Sequence, residues 1–108
     1  LSLKNVFTVE PEIFTPDGDG ADDVTQLKFQ LGIHGYIANA YIFDINGRIL
    51  KQLAQNQLLG PNDQIIWDGK NANNDIVAVG YYVILVELFN PNGEKQEFKG
   101  KVVVGSKY

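Results

Sequence analysis

Apolar and polar residues alternate with a period of two along most of the chain, which is the signature of half-buried β-strands. Residues 24–31 show it most cleanly: Leu27, Phe29 and Leu31 share one face, and Gln26, Lys28 and Gln30 share the other. Residues 8–13 form an earlier run with Pro11 inside it. Proline cannot donate to a ladder, so this run is expected on a sheet edge. Residues 37–45 carry Tyr41, Phe43 and Ile45 on one face, and Asn46-Gly47 follows. That dipeptide is a strong hairpin signal, because both turn residues accept positive φ. The pattern predicts that residues 48–53 pair back and that residues 54–62 form a polar loop.

Residues 63–67 read as a strand with Ile65 and Trp67 inward, followed by an Asn/Asp/Gly-rich loop over residues 68–79. Gly80 opens the most apolar strand, residues 81–89, which is expected to be central. A turn at Asn90-Pro91-Asn92-Gly93 leads into residues 94–104, where Phe98, Val102 and Val104 alternate with Glu97, Lys99, Lys101 and Val103. Helix signals are weak, with eleven Gly and four Pro spread through the chain. Seven strands with turns at this spacing predict an all-β fold, a seven-stranded Ig-like (fibronectin III-like) antiparallel β-sandwich. If the chain reverses at every loop, the loop after the first strand, the Asn46-Gly47 turn and the 68–79 loop share one pole. Gly32–Tyr36 with His34, the 54–62 loop and the Asn90–Gly93 turn share the other.

Composition narrows the function classes. The 108 residues fit one domain with a real core, and 44% hydrophobic content excludes a disordered chain. Residues 1–108 are therefore read as one sandwich domain, expected to be the C-terminal piece of a larger protein because the chain starts mid-pattern and has no Met. A net charge of −4 argues against nucleic acid or an anionic membrane as partner. With no cysteine, disulfides, thiolate metal sites and Cys nucleophiles are excluded. No apolar run is long enough for a transmembrane segment.

Chemistry concentrates in one stretch, Phe14-Thr15-Pro16-Asp17-Gly18-Asp19-Gly20-Ala21-Asp22-Asp23. Four carboxylates this close repel one another unless neutralised. Calcium takes six to eight oxygens, and Asp17-x-Asp19 lets two carboxylates converge while Gly18 and Gly20 permit the bend. Asp22 and Asp23 complete the candidate shell, with Asp17, Asp19 and Asp23 foremost. An EF-hand is excluded: the sixth loop position is Asp22 where Gly is needed, and the twelfth is Lys28 where Glu is needed. The competing reading is a solvated turn, with Asp favoured for local backbone bonds. The ion, if bound, is a structural staple of the first turn.

Other candidates reduce to structure. Trp67 is expected to plug the core, with Asp68-Gly69 making a turn; the alternative adds Asp68, Asn71, Asn73 or Asp75 to the cation site. Tyr81-Tyr82 is expected to supply a tyrosine corner rather than a sugar platform. His34 has no cysteine or elbow serine to work with, so a nucleophile–base pair is not expected. An enzyme is not expected.

Three blocks resemble FlgD-like Ig domains: Ala40-Tyr41-Ile42-Phe43-Asp44-Ile45-Asn46-Gly47-Arg48-Ile49-Leu50, Ile65-Ile66-Trp67-Asp68-Gly69-Lys70-Asn71, and Val77-Ala78-Val79-Gly80-Tyr81-Tyr82-Val83. The acidic stretch is similar to the start of gliding-motility-associated C-terminal domains of Bacteroidetes exported proteins. The ending Lys99-Gly100-Lys101-Val102-Val103-Val104 is similar to the last strand of domains that act as type IX secretion signals. The turn after Phe43 is Asp-Ile-Asn-Gly-Arg, where the gliding group carries Arg-Trp-Gly, so the FlgD-like resemblance is the better match. These resemblances imply a non-catalytic C-terminal Ig-like module of an exported, cell-surface protein, contributing to secretion or surface anchoring. Its expected partners are the parent's preceding domains, the secretion machinery or a cell-surface component, and the domain itself is expected to be a monomer. The alternative is a calcium-stabilised module that binds carbohydrate or serves adhesion.

Overall fold

A computed structural model describes residues 6–16 and 23–105. The chain is all-β. Its strands are β1 (Phe7–Glu10), β2 (Ile13–Phe14), β3 (Thr25–Gln30), β4 (Tyr36–Phe43), β5 (Ile49–Leu59), β6 (Asn62–Trp67), β7 (Gly80–Phe89) and β8 (Lys95–Val104). A three-stranded sheet, β1-β3-β6, packs on a five-stranded sheet, β2-β8-β7-β4-β5. The Ig-like sandwich stands, with eight strands among the described residues in place of the seven expected.

The extra strand comes from Pro11. Residues 8–13 do not make one strand. The first half pairs antiparallel with β3, and the second pairs parallel with β8, in the other sheet. Pro11 has no N–H to continue a ladder, so the chain changes sheets where the donor is missing. The crossover is pinned from below: Thr25, fully buried, donates its hydroxyl to the Pro11 carbonyl at 2.7 Å. Both halves lie at sheet edges, as the proline requires.

The second difference is at the expected 54–62 loop. β5 continues through it to Leu59, and only Gly60 and Pro61 separate it from β6. The β4–β5 register shifts three times, which breaks the period-two pattern along β5. At one shift Asn56 takes positive φ, and its N–H donates to the buried Asn39 Oδ1 at 2.8 Å. The polar run is thus an edge strand with irregular register.

The core lies between the sheets, and the two sheets fill it differently. The small sheet supplies large side chains, Leu27, Phe29, Ile65 and Trp67. The large sheet meets them with Ala38, Ala40 and Ala54 on β4 and β5, and with large side chains of its own, among them Phe14, Ile42, Leu59, Ile84 and Leu88. Trp67 sits edge-on between Phe14 and Tyr82, with centroids 5.5 and 5.7 Å away. β7 is central, flanked by β4 and β8. The apolar face of Tyr41 and Phe43 points away from the core, since Ala40 and Ile42 are the buried residues of that strand.

Candidate functional site

The strand directions bring three loop regions to one pole, as alternation along the chain predicts. Pro16, after β2, packs against Gly69, after β6: a Cβ on Gly69 would stand 2.8 Å from Pro16 Cγ. Gly69 has φ +79°, so glycine is required there twice over. The Ala72 N–H then donates to the Leu50 carbonyl at 3.0 Å, which ties the β6–β7 loop to the start of β5.

Of the expected cation ligands, Asp17, Asp19 and Asp22 lie outside the described residues. Asp23 is described, partly buried two residues ahead of β3. Among the described residues, no group of three or more His, Cys, Asp or Glu side chains is placed to share an ion.

The neighbouring oxygens at this pole hold their own turns. Asp44 Oδ1 accepts from the N–H groups of Asn46 and Arg48, at 2.9 and 3.0 Å, and its Oδ2 accepts from Arg48 Nε at 3.2 Å. The Arg48 N–H bond, helped by Asn46 and the guanidinium, holds the Asp44 carboxyl below the usual carboxylate range against an opposing desolvation effect. Asp68 Oδ1 accepts from the Lys70 N–H at 3.1 Å. Asn71 Oδ1 accepts from Asn73 and Asp75 at 2.9 and 3.0 Å. These are side chains bridging their own backbone, the usual reason for Asx residues in turns.

The two aromatic expectations hold. Trp67 is fully buried, and its indole N–H donates to the Lys70 carbonyl at 2.9 Å, so it both plugs the core and closes the Asp68-Gly69 turn. Tyr82 makes the corner: its hydroxyl donates to the Ala78 carbonyl at 2.5 Å. Burial and then the nearby Asp44 charge push the Tyr82 phenol upward, which keeps it a neutral donor. Its neighbour Tyr81 points outward, 66% exposed. His34 is exposed in the β3–β4 turn.

The outer face of the five-stranded sheet carries apolar residues that alternation alone does not assign to a surface. Tyr41 and Phe43 stand side by side there, centroids 6.3 Å apart and tilted by 42°, so they do not form one flat sugar platform. The Tyr41 hydroxyl reaches Glu87 at 3.4 Å. The signal was available: residues 81–86 are apolar without alternation, and a strand apolar on both sides has two faces to cover.

No family model and no curated protein matches the chain. Solved structures do. CopC from Methylosinus trichosporium OB3b matches with TM-score 0.55 at 22% identity, over 80% of this chain and 78% of that one, which bears on fold alone. FlgD from Xanthomonas campestris, described for hook capping in flagellar assembly, matches with TM-score 0.55 at 27% identity, over 75% of this chain. The match spans 58% of the FlgD chain, a little over half its length. The expected resemblance is therefore met at the level of the fold: the chain has a FlgD-like, Ig-type β-sandwich.

Proposed function

We propose that this domain is a non-catalytic structural module, the C-terminal accessory domain of an exported cell-surface protein. The observation that supports it is the state of the loop pole. Asp44, Asp68, Asn71, Trp67 and Tyr82 all use their polar atoms to close their own turns. Side chains spent on their own turns in this way support a cap rather than a reactive cleft. The likeness to FlgD, a hook-capping protein, points the same way. The test is deletion of residues 1–108 from the parent protein. The reading expects loss of surface display; normal secretion and display without the domain would remove the export role.

Within this reading, calcium at Asp17, Asp19, Asp22 and Asp23 staples the first turn. The support is the carboxylate spacing, and the anchoring of Pro16, the residue before that stretch, against Gly69. Binding to the folded chain alone raises stability with concentration, by about 2.7 kcal/mol at a hundredfold excess over Kd. Thermal melts should therefore separate by several degrees between saturating calcium and chelator, and coincident melts would remove the site.

A further inference from the structure

The two outer faces of the sandwich differ in kind. On the three-stranded sheet the outward positions of paired strands are polar but for one: Thr8 lies opposite Lys28, Glu10 opposite Gln26 and Lys28 opposite Gln64, while Ile66, 50% exposed, lies opposite Gln26. That is the ordinary solvated face of an antiparallel sheet. On the five-stranded sheet the register sets outward residues in rows across β4, β7 and β8. Phe43 lies beside Val83 and Lys101, and Tyr41 lies beside Leu85 and Lys99. Beyond them Tyr81 lies beside Val103, which lies beside Ile13, 62% exposed. Ile49, 55% exposed, extends the row of Phe43 onto β5. Tyr41, Phe43, Val83, Leu85 and Val103 are half-buried and Tyr81, Ile13 and Ile49 are exposed, and a contiguous outward apolar block of this kind is a candidate interaction surface.

Charge says what covers it. Lys95, on the same face, is paired with Glu87 and Glu97 at 3.5 and 3.4 Å, and Glu87 also accepts from Tyr41. Those acidic groups are engaged within the face. Lys99 and Lys101, which border the apolar block, make no ion pair among the described residues. They sit two residues apart on one strand, so their side chains emerge about 6.6–6.8 Å apart. A second copy would have to bring its own face's carboxylates, which Lys95 and Tyr41 already hold.

We infer that the outer face of β4, β7 and β8 docks a protein partner whose apolar surface is bordered by carboxylates that meet Lys99 and Lys101. The apolar block provides contact area and the two lysines set orientation, since border charges govern specificity more than affinity. This surface does not depend on the export or calcium readings.

The test uses the isotope-labelled domain and two soluble peptides of alternating Leu and Tyr. One carries Glu at the intervening positions and the other carries Lys. The Glu peptide should shift amide resonances around Tyr41, Leu85 and Lys99, and bind about tenfold more tightly than the Lys peptide, as two exposed charge pairs allow. The Lys99→Glu/Lys101→Glu variant should reverse that preference while keeping its melting temperature. Leu85→Thr, a strand-compatible change on the same face, should weaken the Glu peptide severalfold and serves if the double variant fails to fold. Equal binding of both peptides, shifts confined to the three-stranded sheet, or no shift at millimolar peptide would overturn the proposal. So would sedimentation showing self-association that Leu85→Thr abolishes, which assigns the face to a second copy. Preferential capture by phosphatidylglycerol vesicles would assign it to lipid and likewise overturn it.

Discussion

The two sheets of this sandwich are complementary inside and unlike outside. The three-stranded sheet brings bulk to the core and shows water a polar face, with Lys28 and Glu10 paired at 3.0 Å. The five-stranded sheet brings both alanines and large side chains such as Phe14, Ile42 and Leu88 to the core, and shows an apolar face bordered by lysines. Strand alternation explains the first sheet apart from Ile66, a single apolar residue on its outer face. The second breaks the rule on its central strands, and a break at the centre of a sheet, where no edge needs protection, points to something outside the domain.

The inner complementarity can be broken from either side. Trp67→Ala removes the largest fully buried side chain and should cost about 3–5 kcal/mol, because Phe14 and Tyr82 cannot both collapse into the space. Urea unfolding measures it, and a cost below about 1 kcal/mol would mean that the two sheets do not meet there as described. The converse change, Ala40→Leu, overfills the large sheet's side. It should cost about 1–3 kcal/mol, with the loss seen as a lower midpoint at unchanged slope. If the core were loosely filled, this substitution would instead be neutral.

Two smaller tests address the pole where loops from both sheets meet. Tyr82→Phe keeps the ring against Trp67 but removes the donor to Ala78, for an expected loss of about 1 kcal/mol. A larger loss would show that the corner does more than close one loop. Asp44→Asn tests the turn after β4. The Asp44 carboxyl is held below its ordinary value in the folded chain, chiefly by the Arg48 N–H. Its stabilisation is therefore present above the unfolded carboxylate pKa and is lost as pH falls through the folded one. The wild type should be the more stable at pH 7, with the difference shrinking toward zero on the acid side of the carboxylate range. A difference that persists unchanged into acid would show that charge at Asp44 is not what the turn uses.

The candidate site was legible where chemistry is local. Asx turns, the buried Trp67 and the tyrosine corner each follow from a few neighbouring residues and their own backbone. The outer apolar face was harder to read, because whether Tyr41 and Phe43 point in or out depends on which of two apolar sets the other sheet covers. Ala38 and Ala40 look like the weaker set, yet they face the large side chains of β3 and β6 and take the core.

Local pattern is enough to place the strands with strict alternation, the turn at Asn46-Gly47, the central position of β7 and the inward direction of Ile65 and Trp67. These depend on side-chain period and turn chemistry, which act over a few residues. Only the tertiary structure decided that the chain changes sheets at Pro11, that the polar run to Leu59 is an edge strand, and which face of β4 is outside. Ladder hydrogen bonds are made by backbone common to every residue, so a strand's partner is chosen by how the sheets pack, not by its own pattern.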